Sequence, residues 1–174
     1  MPTTHPAALQ VTAPTDREIV MTRVFAAPRA LVFEAHTRPE LVRRWLLGPP
    51  GWEMPVCEID LRVGGAYRYV WRRERVAAEP GCDGMVEMGM GGVYREIVAP
   101  ERLVATEKFD QSWYPGEAVG TLVLVERDGK TTLTQTMLYE SREARDGVLQ
   151  TPMEEGVGAS YDRLEELLAL QGAG

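Results

Sequence analysis

Histidine and cysteine are scarce in this sequence, with two of each among 174 residues. His5 lies near the N-terminus, so His36 is the only histidine inside the patterned part of the chain. A zinc site needs several His, Cys or carboxylate ligands at fixed spacing, and Ser-His-Asp chemistry needs a structured histidine. Neither arrangement occurs, and the sequence therefore predicts no metal site, no cofactor and no nucleophilic catalytic residue.

Long apolar runs are missing as well, and none approaches the roughly 20 residues that a membrane-spanning helix requires. Residues 1–15 (MPTTHPAALQVTAPT) lack the basic start and the apolar core of a signal peptide. The two cysteines, Cys57 and Cys82, fit neither a disulfide scaffold nor a CxxC redox pair. These absences predict a cytoplasmic protein that has no membrane partner.

The charge balance disfavours another class of partner. The formal net charge is −7, and a surface of this sign repels the phosphates of nucleic acids. Arg72, Arg73 and Arg75 do cluster, but Glu74 and Glu79 lie among them. We interpret this cluster as a solvated strand end, and nucleic acid is not an expected partner.

The patterns that are present predict one α+β domain. Proline, threonine and alanine dominate residues 1–15, which predicts a flexible lead-in before a single domain at 16–171. A strand is predicted at 17–25, followed by two short helices, the first opened by Pro28 and the second beginning at about residue 39. Alternating segments predict six further strands with short, antiparallel connections, at 52–61, 65–73, 85–98, 102–109, 118–127 and 131–140.

The last third of the chain contains two clear local signals. Asp128-Gly129 lies between two alternating segments and predicts a tight hairpin. After the helical segment SREARDGVL, a long C-terminal helix is predicted, with Thr151 as its N-cap, Pro152 in the first turn and Glu154 three residues after the cap. This helix is the only predicted element long enough to cover one face of the sheet.

One predicted strand has two chemically different faces. In GAYRYVWR, Tyr67, Tyr69 and Trp71 share one face, whereas Arg68 and Arg72 share the other. An aromatic face beneath a covering helix is either ordinary core or the wall of a cavity. The residue types alone favour ordinary core.

Four segments of the chain together resemble one superfamily. They are VFAAPRALVFEAHTRPELVRRW, GPPGWEMPVCEIDLRVGGAYRYVWR, GGVYREIVAPERLVATEKFD and SREARDGVLQTPMEEGVGASYDRLEELL, in that order. They are similar to the START-like (SRPBCC) superfamily, in the branch named for the C-terminal domain of the activator of heat shock protein 90 ATPase. The resemblance runs from about residue 17 to about residue 170 and implies a helix-grip (Bet v 1-like) fold. In that fold a curved antiparallel sheet wraps around a long C-terminal helix, with a cavity between them.

The chain departs from the pattern of this family at three places. Members often have a tryptophan where His36 stands, and a second tryptophan where Leu46 follows Trp45. The segment AAEPGCDGMVEMGMGG is longer and richer in methionine than is usual. These departures imply a changed cavity mouth within an unchanged fold.

Within a helix-grip fold, the aromatic strand face would line the cavity, and small residues of the C-terminal helix (Gly156, Gly158, Ala159 and Ser160) would leave space opposite it. The ligand-binding residues implied by this resemblance are Trp45, Tyr67, Tyr69, Trp71, Met88, Met90, Phe109, Trp113, Met153, Val157 and Tyr161. With this resemblance, the interpretation of the aromatic face as a cavity wall has the same weight as its interpretation as ordinary core.

Glu107 is the one candidate for acid–base chemistry. It shares strand parity with Leu103, Ala105 and Phe109, which predicts that its side chain points toward the cavity. A carboxylate in an apolar pocket has a raised pKa and can transfer protons. The competing interpretation is an ion pair with an arginine or a position at the open end of the sheet.

Three functional hypotheses follow from the residues and the resemblance. The first is binding of a small, largely apolar or aromatic molecule. The second is stimulation of the heat shock protein 90 ATPase, which ranks lower because the eukaryotic activator resembles this chain only in its C-terminal part. The third is an enzyme, a cyclase, hydrolase or lyase acting on a polyketide-like substrate, which requires polar groups inside the cavity. The sequence also leaves open whether the protein forms a homodimer.

Overall fold

The strands form one continuous antiparallel sheet in the computed structural model, which describes residues 8–76, 84–112 and 114–172. Along the chain they are β1 Gln10–Thr12, β2 Glu18–Phe25, β3 Glu53–Ile59, β4 Ala66–Glu74, β5 Met85–Val98, β6 Arg102–Phe109, β7 Ala118–Arg127 and β8 Lys130–Leu138. Their order across the sheet is β1-β2-β8-β7-β6-β5-β4-β3. Because β2 pairs with β8, the N-terminal strands lie beside the last strand, and the edges of the sheet are β1 and β3.

Two pairs of helices accompany the sheet. Helices α1 (Arg29–Thr37) and α2 (Pro39–Trp45) connect β2 to β3, and helices α3 (Arg142–Leu149) and α4 (Met153–Gly172) follow β8. The Ser141 hydroxyl caps α3 by accepting a hydrogen bond of 3.0 Å from the backbone N–H of Ala144. The structure differs at Thr151, the predicted cap of α4. Its hydroxyl donates to the carbonyl oxygen of Val148 at 2.6 Å and so completes the end of α3.

The hairpin predicted at Asp128-Gly129 is confirmed. The two residues have φ angles of 54° and 76°, and Arg127 pairs with Lys130 across the turn. Positive φ at both central residues is the geometry of a type I′ turn, whose twist matches that of the flanking strands.

A bulge in β5 determines which of its side chains face the helices. Met88 pairs with Trp71 and Met90 pairs with Tyr69, so the methionines share the aromatic face of β4. The register with β6 then shifts between Tyr94 and Glu96. Beyond this bulge the face of β5 that points inward changes parity.

The structure differs from the predicted flexible lead-in at residues 10–12. These residues form β1, in which Val11 pairs with Met21 of β2, and Leu9 packs against two buried clusters of the core. The prediction missed this strand because three residues are too few to produce a recognisable alternation. Residues 1–7 of the predicted lead-in lie outside the described part of the chain.

Helix α4 packs across one face of the curved sheet. Phe25, Leu133 and Leu164 are fully buried between them. Arg23 of β2 is also buried, and it forms ion pairs with Asp162 at 2.8 Å and Glu165 at 3.0 Å on α4. The predicted α+β fold, a curved antiparallel sheet around a long C-terminal helix, is confirmed. The two short helices, predicted after the first strand, follow β2 because the short strand β1 precedes it.

Candidate ligand cavity

A cavity of about 580 Å³ lies between the curved sheet and helices α2 and α4. Its walls are mostly apolar and aromatic side chains from six of the strands, from α2 and α4, and from the loops beside them, with one residue each from α1 and α3. Ligand sites for small molecules have volumes of roughly 300–1,000 Å³ and walls of this kind. The space is therefore large enough for a molecule of several rings.

The aromatic face of β4 forms one wall of this cavity. Tyr67, Tyr69 and Trp71 are 8%, 7% and 7% exposed, and successive ring centroids are 5.1 Å and 5.9 Å apart. Two of their polar atoms bond to backbone: Tyr67 Oη donates to the Thr106 carbonyl at 2.6 Å, and Trp71 Nε1 donates to the Leu46 carbonyl at 2.6 Å. These bonds hold the rings in place, so this wall is pre-formed.

Helix α4 forms the opposite wall and is tied to the loop after α2. Gly156 and Val157 line the space, and Gly156 has only Pro49 Cδ within 4 Å of where a side chain would begin. The Ser160 hydroxyl accepts a hydrogen bond from the Gly48 N–H at 2.8 Å, and Arg163 donates to the Gly48 carbonyl at 2.7 Å. These bonds keep α4 at a fixed distance from the loop, while Gly156 leaves the volume open. Gly158 and Ala159, also predicted to lie opposite the aromatic face, are outside the lining because they point to other sides of the helix.

Most of the predicted site residues meet at this cavity. Its lining includes ten of the predicted ligand-binding residues, namely Trp45, Tyr67, Tyr69, Trp71, Met88, Met90, Phe109, Met153, Val157 and Tyr161. Trp113 lies outside the described residues. That these side chains contact a ligand stays a prediction.

Sequence reasoning missed several polar and aromatic residues of the lining. They are Tyr94, Tyr114, Gln135 and Tyr139. Gln135 and Met137 share strand parity with the buried Leu133 on β8, and this parity could have predicted that they face inward. Tyr114 lies in the connection between β6 and β7, where no periodicity indicates a direction.

Glu107 of β6 lies in the cavity wall, as its strand parity predicted. Burial raises the pKa of its carboxyl to about 7. Among the described residues, no hydrogen bond or ion pair to this carboxylate occurs, which removes the alternative of an arginine partner within that part of the chain. The pKa values of Tyr67, Tyr114 and Tyr139 are raised. Burial is the larger cause for each phenol, and the negative charge of Glu107 is the next. The three phenols therefore lie within electrostatic reach of the carboxyl.

The hydroxyl of Tyr114 is buried and has no hydrogen-bond partner among the residues that the structure describes. Its ring lies edge-on to that of Tyr139, with centroids 5.1 Å apart. A buried hydroxyl without a partner loses about 1–3 kcal/mol relative to water. Tyr114 and Glu107 thus give the cavity one polar region with unused hydrogen-bonding capacity.

His36 of α1 occupies another part of the wall. Its Nδ1 lies 2.7 Å from the Val32 carbonyl oxygen, and its ring is edge-on to Trp45, with centroids 4.8 Å apart. Burial lowers its pKa to about 4, against a smaller effect of the Val32 hydrogen bond. The imidazole is therefore neutral at physiological pH.

The described part of the chain holds no group of three or more His, Cys, Asp or Glu side chains arranged to bind a metal ion. None of its helices is both long enough and apolar enough to span a membrane.

The fold agrees with a comparison against known families. The family model described as "Activator of Hsp90 ATPase homolog 1-like protein" matches residues 26–169 of this chain. The chain belongs to this family. Its positions His36 and Leu46, where a tryptophan was expected from the resemblance, both line the cavity. This member of the Hsp90-activator-like family therefore has a smaller, partly polar surface where larger rings were expected.

Solved structures of bacterial proteins are similar over nearly the whole chain. A Rhodobacter sphaeroides protein is 29% identical, with a TM-score of 0.82, and the match covers 94% of this chain and 99% of that one. A Mycobacterium smegmatis protein is 23% identical, with a TM-score of 0.77, and the match covers 92% and 96% of the two chains. The second likeness shows the shared fold alone.

A more distant match is a Plasmodium falciparum protein described as an HSP90 activator. It is 19% identical, with a TM-score of 0.50, and the match covers 70% of this chain and 72% of that one. A comparison with curated proteins finds no match.

Proposed function

We propose that this protein binds a small, largely apolar or aromatic molecule in the cavity between its sheet and α4. The observation that carries the proposal is the cavity itself, with a volume of about 580 Å³ and mostly apolar walls. Transfer of apolar surface from water into such a space contributes about 25 cal/mol per Å². A matching ligand therefore stabilises the folded protein.

The rigidity of the walls supports this proposal. Trp45 Nε1 donates to the Ala35 carbonyl at 2.8 Å, and Trp71 and Tyr67 are likewise bonded to backbone. Since these rings are already ordered, binding does not lose the free energy of ordering them. The cavity is suited to a ligand that fills it without rearrangement.

A pair of glycine substitutions on α4 tests the proposal. Gly156 lines the cavity, whereas Gly158 lies outside the lining and has open space around it. Gly156→Leu places a side chain in the cavity and should abolish binding. Gly158→Leu makes the same change in helix propensity on the same helix and should keep binding intact.

The measurement is a thermal-shift screen with neutral aromatic compounds, flavonoids and fatty acids, followed by calorimetry on each compound that binds. A true ligand at a hundred times its dissociation constant should stabilise the wild-type protein by about 2.7 kcal/mol. The proposal fails if no compound stabilises the wild type, or if Gly156→Leu responds as Gly158→Leu does.

The second candidate function is stimulation of a heat shock protein 90 ATPase. The family match supports it, together with the Plasmodium falciparum protein described as an HSP90 activator. We rank it second because identity of 19% to that protein carries the fold and not the activity. The test is the ATPase rate of heat shock protein 90 from the same organism. A several-fold increase at micromolar protein would reverse this ranking, and an unchanged rate would remove the second candidate.

The proposal places this binding in the cytoplasm. The thiol of Cys57 is free and buried, and free thiols persist in reducing compartments. This supports an intracellular setting without identifying the ligand.

A further inference from the structure

The polar region around Glu107 restricts the chemistry of the cavity's ligand, given that the proposed binding function holds. Glu107 comes from β6, Tyr67 from β4, Tyr114 from the connection between β6 and β7, and Tyr139 from the residue after β8. Four separate segments thus converge on one carboxyl group. Tyr67 Oη is already committed to the Thr106 carbonyl, whereas the Tyr114 hydroxyl has no partner among the described residues.

The charges that line the cavity are of one sign. The described lining contains Glu107 as its carboxylate and contains neither lysine nor arginine. The one histidine of the lining, His36, is neutral above its pKa of about 4. Arg23, a buried arginine beneath α4, lies outside the lining and is already paired with Asp162 and Glu165. Among the described lining residues, a ligand anion would therefore meet only negative charge, and a ligand cation would meet a carboxylate that has no counter-charge there.

We propose that the cavity accepts a hydrophobic amine, whose ammonium group pairs with the Glu107 carboxylate and whose apolar body lies against the rings of β4. An ammonium group has three N–H donors. The two carboxylate oxygens of Glu107 supply acceptors for two of them, and Tyr114, whose buried hydroxyl has no partner among the described residues, belongs to the same lining. The faces of Tyr67 and Tyr69 also attract a cation through their ring quadrupoles.

A neutral alcohol is the principal competitor, because it too can donate a hydrogen bond to Glu107. It donates one hydrogen bond and carries no charge, so the carboxylate would remain uncompensated in the apolar cavity. Charge-assisted hydrogen bonds are roughly twice as strong as neutral ones. The amine should therefore bind more tightly than an alcohol of the same shape.

The pH dependence of binding follows from the groups that face Glu107. Tyr67, Tyr114 and Tyr139 have raised pKa values and stay neutral, and His36 is neutral above about 4. Glu117 also acts on Tyr67 but lies outside the lining and is 3.8 Å from Arg95. The pKa of Glu107 is about 7, so the affinity for an ammonium ligand should rise about tenfold between pH 6 and pH 8 as the carboxyl ionises.

The experiment uses three probes with one ring system: naphthylmethylamine, naphthylmethanol and naphthoate. Their affinities for the full-length protein are measured by calorimetry at pH 8. The amine should bind at least about tenfold more tightly than the alcohol, and the carboxylate should bind most weakly. In Glu107→Gln the amine should lose this advantage while the alcohol changes by less than about twofold.

A matched variant controls for the change in net charge. Glu87 is exposed on β5 and lies outside the cavity lining, so Glu87→Gln should retain the preference for the amine. The pH profile of the wild-type protein needs no variant, and it tests the proposal even if Glu107→Gln fails to fold.

The possible results distinguish the preference for an amine from ligand binding in general. If the amine and the alcohol bind equally, or if Glu107→Gln keeps the preference, the amine proposal is overturned while ligand binding stands. If no member of the series binds, the amine proposal is overturned, and the wider thermal-shift screen decides the proposed function separately. A preference for naphthoate would show that the carboxylate is neutralised by a group other than the ligand, and would also overturn the inference.

Discussion

Arg23 on β2 and Asp162 on α4 form an ion pair of 2.8 Å across the sheet–helix interface, with side-chain exposures of 3% and 70%. Glu165 also pairs with Arg23, at 3.0 Å and with 30% exposure. The arginine is therefore buried, while its acidic partners reach it from the edge of the helix. The guanidinium Nε has no partner among the described residues, so the charge depends on these two carboxylates.

Removal of both carboxylates should destabilise the protein more than the sum of the single changes. Asp162→Asn alone should cost less than about 1 kcal/mol, because Glu165 still pairs with Arg23 and Asp162 is exposed. The double variant Asp162→Asn, Glu165→Gln leaves a buried cation without a counter-charge and should cost about 3 kcal/mol. Urea denaturation of the four proteins gives the coupling free energy. Small and additive effects would contradict this account of the interface.

Glu107→Gln should stabilise the ligand-free protein at alkaline pH. The folded carboxyl has a pKa of about 7, raised by burial from 4.5, so between these values the folded state holds a proton that the unfolded state has lost. Stability due to this group is therefore greatest below about pH 4.5 and is lost as the pH rises to about 7. Water that enters the cavity reduces the effect, and we expect Glu107→Gln to gain on the order of 2 kcal/mol at pH 8.

The measurement is the difference in unfolding free energy between wild type and Glu107→Gln from pH 4 to pH 8. The difference cancels contributions from other groups, including His36, whose lowered pKa makes stability fall as the pH drops from 6.5 to about 4. A difference that does not change with pH would show that Glu107 is solvated as an ordinary surface carboxylate.

Tyr69 and Phe25 should respond differently to truncation. Phe25 is completely buried in the packed core, and Tyr69 lines the cavity with 7% exposure. Phe25→Ala should cost about 3–5 kcal/mol because it opens a new cavity. Tyr69→Ala enlarges a space that already exists, so it should cost less, and it should weaken the binding of any aromatic ligand. Equal costs, measured by chemical denaturation, would mean that the aromatic face of β4 is ordinary core.

Strand β1 should contribute to stability. Deletion of residues 1–12 removes the pairing of Gln10–Thr12 with β2 and the contacts of Leu9 with the core. We expect a loss of about 1–2 kcal/mol, which corresponds to a fall in Tm of roughly 2–8 °C for a chain of this size. Deletion of residues 1–8 keeps Leu9 and β1 and serves as the control. Identical melting temperatures for the two deletions would return residues 9–12 to the role of a dispensable lead-in.

Local patterns in the sequence were sufficient for most of the fold. The alternation in GAYRYVWR assigned Tyr67, Tyr69 and Trp71 to one face, because side chains of a strand alternate at every residue. Asp128-Gly129 predicted its hairpin because both residues tolerate the positive φ of the turn. These features depend on neighbours along the chain, so a single sequence contains them.

The tertiary structure alone brought Glu107 together with Tyr114 and Tyr139, and it alone kept the space beside them open. The three residues come from separate segments, and their approach depends on sheet curvature and on the conformation of the connection after β6. The volume of the cavity depends on the distance between α4 and the sheet, which bonds such as that from Gly48 to Ser160 hold constant. Hydrophobicity determines which side chains leave water, but only the packing of distant elements determines whether those side chains fill the interior or surround a cavity.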